Sequence, residues 1–429
     1  MKFAVVTFGC RVNQADSQRV EDDLRARGAT EVHPDIADVL VVNTCSVTAS
    51  ADQAARQTIR RIARSNPDVR VVVTGCYATR REDDVRQLPN VVRVVPNGVK
   101  DTLADVLTDL PTTAVRYGTG DAVCGLADAD TRARTAITLR VQTGCEESCT
   151  YCIIPRTRGA SRSRPLTDVC ADVTRAVASG FKEIVIAGVH LGAYGRDLEQ
   201  CSTLERLVAR LAEWPADVRF RISSLEPMDC SPGLVRLVAT SARLAPHFHL
   251  PLQHGSDRLL AAMGRPYTRD SYRAVVDDIH ERVPSAAIGT DVIVGFPGET
   301  DADVHELEAL VEQLPLSYLH VFPYSDRPGT VAAGLPDKIP GRVIRERARR
   351  LRELGAGKAA AFRARQAGHR HRALALDDGW TGVTGNYLKV RFDRHVRRNT
   401  WVDVEIVDDA SLAARVVDDL LTAHGGATA

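Results

Sequence analysis

Neither sign of charge is in excess along this chain: 56 lysines and arginines face 55 aspartates and glutamates in 429 residues. Global charge therefore gives no hint of a polyanionic partner, and any basic face has to be local. No apolar run approaches the roughly 18–20 residues of a membrane span. The opening "MKFAVVTFGCRVNQADSQ" turns polar at Arg11, Asn13 and Asp16, which excludes a signal peptide. Ten cysteines are too sparse for a disulfide scaffold at this length. No Ser/His/Asp set and no pair of carboxylates stands out as acid–base machinery. These absences predict a cytoplasmic protein with no membrane partner. The rest of the composition, 44% hydrophobic and 26% charged, is that of a globular chain with core enough for two or three domains.

The cysteines that are present cluster. "GCEESCTYC" places Cys145, Cys149 and Cys152 at the spacing C-x3-C-x2-C. A structural zinc site closes with four ligands, and ferredoxin runs supply four thiolates per cluster. No fourth ligand lies near this trio. Cys170, 18 residues on, sits among Val169, Val173 and Val177 and reads as a core position. Cys124, Cys201 and Cys230 have no partner spacing and read as free thiols. What remains is a four-iron cluster held by three thiolates, with one iron open to a small molecule.

Residues 1–110 alternate short valine-rich runs ("KFAVVTF", "DVLVVNT", "VRVVVTG", "VVRVVP") with helical stretches, the pattern of buried parallel strands in a doubly wound sheet. Three of these strands run into cysteine: Cys10, Cys45 and Cys76. Ligands of open parallel sheets bind outside the carboxyl ends of the strands, so three thiols at equivalent junctions share one edge. A buried, inert cysteine is the plainer reading of one such position, but a poor one of three at equivalent junctions. Residues 111–135 are polar and weakly periodic, as in a linker.

Residues 136–340 repeat the alternation with six candidate strands: "ITLRVQTG", "EIVIAGVHLG", "RFRISSLEP", "HFHLPLQHG", "AIGTDVIVGF" and "YLHVFPYS". Six β/α units predict a partial barrel with its site at the strand carboxyl ends, where the three-cysteine motif follows the first strand. Gly188, His190, Glu226, Gln253, His254, Gly255 and Gly295 sit at the other strand ends and outline a pocket above it. Each has a plainer reading, as a turn glycine or a locally bonded side chain.

From Gly341 to Arg372 the chain holds eleven Lys/Arg against two Glu, a basic helical segment suited to a phosphate backbone or simply a solvated helix. Residues 373–429 carry the strand-like "WTGVTGNYLKVRF" and "TWVDVEIVD" of a small β-barrel, then a tail, "DDASLAARVVDDLLTAHGGATA", acidic and partly helical in pattern. Tyr387, Phe392 and Trp401 are candidate base-stacking residues, with barrel core the expected fate of at least two.

C-x3-C-x2-C after the first strand of a β/α barrel resembles the radical S-adenosylmethionine enzymes. The upstream domain with three strand-end cysteines resembles their methylthiotransferase family. "GCRVNQ", "VVNTCSVT", "CTYCIIPRTRG", "GVHLGAYGRD", "LPLQHGSD", "DVIVGFPGETD" and "HVFPYSDRPGT" resemble the branch that modifies N6-threonylcarbamoyladenosine in tRNA. The resemblance implies an α/β protein: an N-terminal doubly wound parallel sheet, a central partial (β/α)6 radical-SAM barrel and a small C-terminal β-barrel of TRAM type that grips RNA. It implies two 4Fe-4S clusters, one on Cys10, Cys45 and Cys76 and one on Cys145, Cys149 and Cys152. The second binds S-adenosyl-L-methionine, cleaved to a radical that removes hydrogen from C2 of the adenine, where a methylthio group is joined. Gly188, Glu226 and Gln253 would line the S-adenosylmethionine site. The implied partners are the tRNA anticodon stem-loop and an electron donor such as a flavodoxin or ferredoxin, for a monomer. Two alternatives stay open: the isopentenyl-adenosine or ribosomal-protein aspartate substrates of sister branches, and a non-enzymatic metal-containing RNA-binding protein.

Overall fold

The computed structural model describes residues 1–46, 48–108, 135–199 and 202–417. Most of the expected linker, Cys124, Cys201 and the end of the acidic tail lie outside them.

Five parallel strands, β1 (Lys2–Thr7), β2 (Thr30–Glu31), β3 (Val39–Thr44), β4 (Arg70–Gly75) and β5 (Val91–Val95), form a sheet in the order β2-β1-β3-β4-β5. Side chains alternate between faces along each strand. In β3, Leu40 and Val42 join Ile59 and Ile62 of helix Ala49–Ser65 on one side. Val39 and Val41 meet Leu24, Leu103 and Leu107 on the other. Both faces are covered, as the continuous apolar runs required.

The central unit contributes β6 (Ala136–Arg140), a short hairpin of β7 (Gln142–Thr143) and β8 (Arg162–Ser163), then β9 (Glu183–Ala187), β10 (Arg219–Ile222), β11 (His247–His249), β12 (Ala287–Val294) and β13 (Tyr318–Pro323). The long strands form two parallel sheets, β6-β9-β10 and β11-β12-β13, joined by a bridge from Phe220 to Leu244. The barrel is open between β6 and β13. The N-terminal domain stands at β6, its helix Arg11–Ala26 beside that strand.

The last five strands, β14 (Arg370–Ala375), β15 (Thr381–Thr384), β16 (Lys389–Phe392), β17 (Trp401–Asp408) and β18 (Ala413–Val416), close into a small barrel. Two expectations are corrected here. The basic helical segment ends at Ala364, and Arg370–Arg372 belong to β14, where alternation replaces helical spacing. Within the tail, Ala413–Val416 is a strand, because β16 and β17 each leave an edge that only a further strand satisfies.

This barrel is fixed to the amino end of the larger one. Arg219 donates to the carbonyls of Arg372 and Val383, and Arg221 to those of Thr384 and Gly385, while Glu183 accepts from both guanidiniums. Trp401 lies between the Arg219 and Arg372 guanidiniums, 4.7 and 4.6 Å from its ring centre. Arginine covers that indole, and Phe392 is buried core, which removes Phe392 from the stacking candidates. Tyr387 alone of the three aromatics stays largely exposed.

Candidate metal centres and the cavity between them

Cys10, Cys45 and Cys76 follow β1, β3 and β4, which are neighbours in the sheet, so strand spacing alone brings the thiols to one edge. Gly9, at φ +100°, lets the first junction close on the second: a Cβ there would fall 2.5 Å from the Cβ of Cys45. Cys45 and Cys76 are buried and Cys10 is exposed at the start of helix Arg11–Ala26. The surroundings are cationic and come partly from the central barrel. Arg158, on the segment after Cys152, lies against Cys10 and Cys76 and bonds the Asn13 side chain, with Asp16 behind it at 3.4 Å. Asn97 donates to the Cys76 Sγ at 3.6 Å. Arg327 pairs with Asp52 at 3.2 Å on the Cys45 side.

Cys145, Cys149 and Cys152 lie on a loop after β7, pinned by backbone bonds from Thr150 to Met263 and from Ala332 to Thr150. Burial raises the Cys152 thiol to about 12, and burial likewise raises Cys149 against the pull of Arg265, whose Nη1 donates to the Cys149 Sγ at 3.1 Å. His190 stands 4.0 Å from the Cys145 Sγ and holds Asp229 at 2.8 Å. Arg265 beside Cys149 and His190 beside Cys145 are neighbours that support thiolate sulfur, the form that ligates a metal group. Among the described residues, the trio whose ligand atoms all lie within 4.8 Å of one another is His249, Asp291 and His320. Neither cysteine trio is gathered that tightly. A single zinc ion, with Zn–S bonds of about 2.3 Å, would draw its sulfurs to under ~4 Å, so the wider trios suit a larger cluster.

The three other predicted residues stand in different situations. Gly188 follows β9 and packs on Gln142 and Leu191. Glu226 is tied to Arg265 in an ion pair. Gln253 adopts the left-handed φ of +64° and bridges to Val292 of β12. Of the remaining strand-end candidates, His254 is wholly buried against Glu299. Tyr151 packs beside the Leu259–Met263–Phe296 cluster, and Cys170 and Cys230 pack on the barrel core.

A cavity of about 760 Å³ joins the two halves, with Cys10, Arg158, Gly188, His249, Tyr318 and Tyr387 on its walls. Cys10 and Gly188 thus face one space from separate domains. Sequence reasoning missed Arg158, Arg265 and Arg327, which the fold brings to the thiols. Arg158 and Arg327 lie inside motifs already singled out, "CTYCIIPRTRG" and "HVFPYSDRPGT", and that was the available signal.

The basic face of helix Gly341–Ala364 is largely spoken for. Arg347 is buried on Glu299 and Asp301, Arg349 bonds Glu346 and Glu353, and Arg350 bonds Glu308.

Residues 2–96 match the uncharacterized protein family UPF0004, and residues 139–311 match the radical SAM superfamily. The chain is similar to a threonylcarbamoyladenosine tRNA methylthiotransferase of Aquifex aeolicus, 37% identical over 91% of this chain and 96% of that one. It is also similar to a tRNA-2-methylthio-N(6)-dimethylallyladenosine synthase of Sorangium cellulosum, 34% identical over 91% of this chain and 87% of that one. Among solved structures, the cobalamin- and cluster-bound radical S-adenosylmethionine methyltransferase TsrM of Kitasatospora setae shares the fold. The TM-score is 0.55 at 15% identity, over 77% of each chain.

Proposed function

Since this chain belongs to the radical S-adenosylmethionine methylthiotransferase family, we propose that it adds a methylthio group to C2 of N6-threonylcarbamoyladenosine in tRNA, beside the anticodon. The observation that carries this reading is the 37% identity extending over 96% of a relative with that activity. The cofactors are S-adenosyl-L-methionine and two 4Fe-4S clusters. Cys145, Cys149 and Cys152 would hold the cluster that binds S-adenosylmethionine, and Cys10, Cys45 and Cys76 the second. Bound there, these groups supply one-electron chemistry for an aromatic C–H bond that acid–base catalysis leaves inert.

The chain's own residues do the positioning. Arg265 donates to the Cys149 sulfur and pairs with Glu226, so that carboxylate would help orient a ligand bound at the cluster. The Glu226–Arg265 ion pair also leaves Glu226 a free oxygen for such a ligand. Gln253 is held at its strand end by a left-handed backbone bridged to Val292. Gly188 lets the strand end pack closely on Gln142 and Leu191, where any side chain would press on both. Beside the N-terminal thiols, Arg158 and Arg327 would supply positive charge against an anionic cluster.

The finer arrangement follows the same reading. Residues 1–110, 136–340 and 373–429 act as auxiliary-cluster, radical and RNA-gripping domains, with 341–372 between. The chain works as a cytoplasmic monomer, reduced by a flavodoxin or ferredoxin. No described helix is long and apolar enough to cross a membrane.

Mass spectrometry of nucleosides from total tRNA, with and without the gene, tests the reading. Loss of 2-methylthio-N6-threonylcarbamoyladenosine with accumulation of its precursor supports it. Loss of the dimethylallyl counterpart instead would assign the chain to the sister activity, which the 34% identity to the Sorangium protein keeps in play.

A further inference from the structure

The cavity beside Cys10 contains a group of side chains that neither cluster uses. Asp291 on β12 accepts hydrogen bonds at its Oδ1 from His249 Nε2 and His320 Nδ1, both at 3.0 Å. Ser224 engages the other nitrogen of His249 at 2.8 Å, so that ring is fully committed. His320 differs: its Nδ1 is held by Asp291, its side chain is 56% exposed, and it lines the cavity. With Nδ1–H given to Asp291, Nε2 donates to the space in the protonated ring, the form that the Asp291 carboxylate favours. The tyrosine ring of Tyr318 lies parallel to His249, 5.9 Å between centres, and fixes that ring from the side.

Two further cations reach the same space from other elements. Arg363 comes from the last turn of helix Gly341–Ala364 and Lys389 from the start of β16. Among the described residues neither makes a close ion pair, Lys389 acting on Asp378 only at longer range, whereas Arg347, Arg349 and Arg350 on the helix of Arg363 are all paired. Asp291 is the one carboxylate on the described walls, and two imidazoles already occupy it. The balance of charge opposes a metal ion at His249–Asp291–His320, although three ligand atoms lie close enough for one. It favours an anion.

We propose that this cavity receives the target adenosine and that His320, Arg363 and Lys389 bind the carboxylate on its N6 arm, with Asp291 as the positioning residue for His320. The inference rests on the tRNA reading above and goes beyond it by naming how the substrate branch is chosen. C2 and the N6 arm flank the same ring nitrogen of adenine. A base turned with C2 toward Cys10 and Gly188 can carry its arm within the same cavity, whose wall includes His320 of β13. A threonylcarbamoyl arm ends in a carboxylate, which three donors from three elements match. An isopentenyl arm has nothing to offer them and would leave their charges desolvated. Phe362, Leu388 and Leu412 supply the apolar wall for the base itself.

The same donors suit a backbone phosphate, and the experiment separates the two oxyanions. Reconstituted holoenzyme is titrated by fluorescence anisotropy with an anticodon stem-loop carrying threonylcarbamoyladenosine, and with the same stem-loop carrying unmodified adenosine. The wild-type product on the first RNA is checked beforehand, so that failure of the functional reading is seen before any variant is compared. His320→Gln and the double variant Arg363→Ala/Lys389→Ala are then measured. The pair of surface substitutions guards against a folding defect in the first. Each should weaken binding of the threonylcarbamoyl RNA by about tenfold or more, the size of one lost charge-assisted hydrogen bond, with the unmodified RNA unchanged. Asp291→Asn should reproduce the His320→Gln loss. Equal weakening toward both RNAs would place the contact on phosphate and overturn the proposal, as would no change with either.

Discussion

Arg158 and Asp16 stand 142 residues apart in sequence and 3.4 Å apart in the fold, each with only 2% of its side chain exposed. Asp16 also holds Lys100 and Arg140, so one buried carboxylate faces three cations at the seam between the N-terminal sheet and the radical barrel. Burial opposes its ionisation, and the three cations overcome that and hold its pKa far below the usual carboxylate range.

Arg158→Met should therefore loosen the seam. Asp16 keeps two partners, so the loss should fall near the lower end of the roughly 3–5 kcal/mol typical of a broken buried pair. The Cys10–Cys45–Cys76 site should lose iron at the same time, because the guanidinium also lies against two of its thiols. Anaerobic denaturation together with iron per chain measures both. Loss of stability with full iron would confine Arg158 to a structural role.

Replacing Cys10, Cys45 and Cys76 together with alanine should halve the iron bound after reconstitution and leave reductive cleavage of S-adenosylmethionine intact. Replacing Cys145, Cys149 and Cys152 should also halve the iron but abolish that cleavage. Iron analysis paired with an assay for 5′-deoxyadenosine distinguishes the two. Unchanged iron in the first variant would mean that the N-terminal thiols hold no cluster.

Gly144→Ala should abolish iron binding at the radical site without touching any ligand. The glycine sits at φ +77°, and an added Cβ would lie 1.9 Å from the backbone oxygen of Ala160. Neither strain nor overlap can relax without moving Cys145, whose N–H bonds the Gly159 carbonyl. The cluster absorbance of the purified variant is the readout. Retention of both clusters would show that the loop yields more readily than its contacts imply.

Acid should part the C-terminal barrel from the central one. Burial works against the Glu183 charge, but Arg221 and Arg219 prevail and bring its pKa down from 4.5 to about 2. A carboxylate with a depressed folded pKa contributes fully above its unfolded value and loses that contribution as pH falls toward the folded one. Burial also pulls Arg219 down, so the net gain is smaller than the Glu183 shift alone. The urea midpoint should hold between pH 7 and 5 as far as this group is concerned, then fall between about 4.5 and 2. A midpoint unmoved through that window would show that the pair adds nothing.

Much of this architecture was legible because it is local or periodic. The cysteines after β1, β3 and β4 announce themselves by position, since strand ends of a parallel sheet converge without help from anything distant. The six barrel strands follow from their apolar runs. What stayed hidden depends on partners far along the chain. Arg158 looks like any basic residue until Asp16 and Cys76 arrive beside it. Ala413–Val416 carries no strong strand signal and becomes a strand because two others leave it a slot. Asp291 and His320 sit on adjacent strands, yet only their pairing in register, with His249 across β12, makes one group of them. Phe392 and Tyr387 lie five residues apart, and one is core while the other faces the cavity. Alternation along β16 and a left-handed turn at Tyr387, φ +67°, decide that difference.

The small barrel is tied to its neighbours on two sides. Arg219 and Arg221 bolt it to the floor of the larger one, and Tyr387 reaches from it to Arg11, beside Cys10, at 2.8 Å. An RNA gripped by this barrel, as proposed above, would be held at a set distance from Cys10. Such an enzyme would work as a gauge: an adenosine would be admitted when its reach from the gripped stem equals the span between the small barrel and Cys10, and its neighbours one step nearer or farther would be passed over.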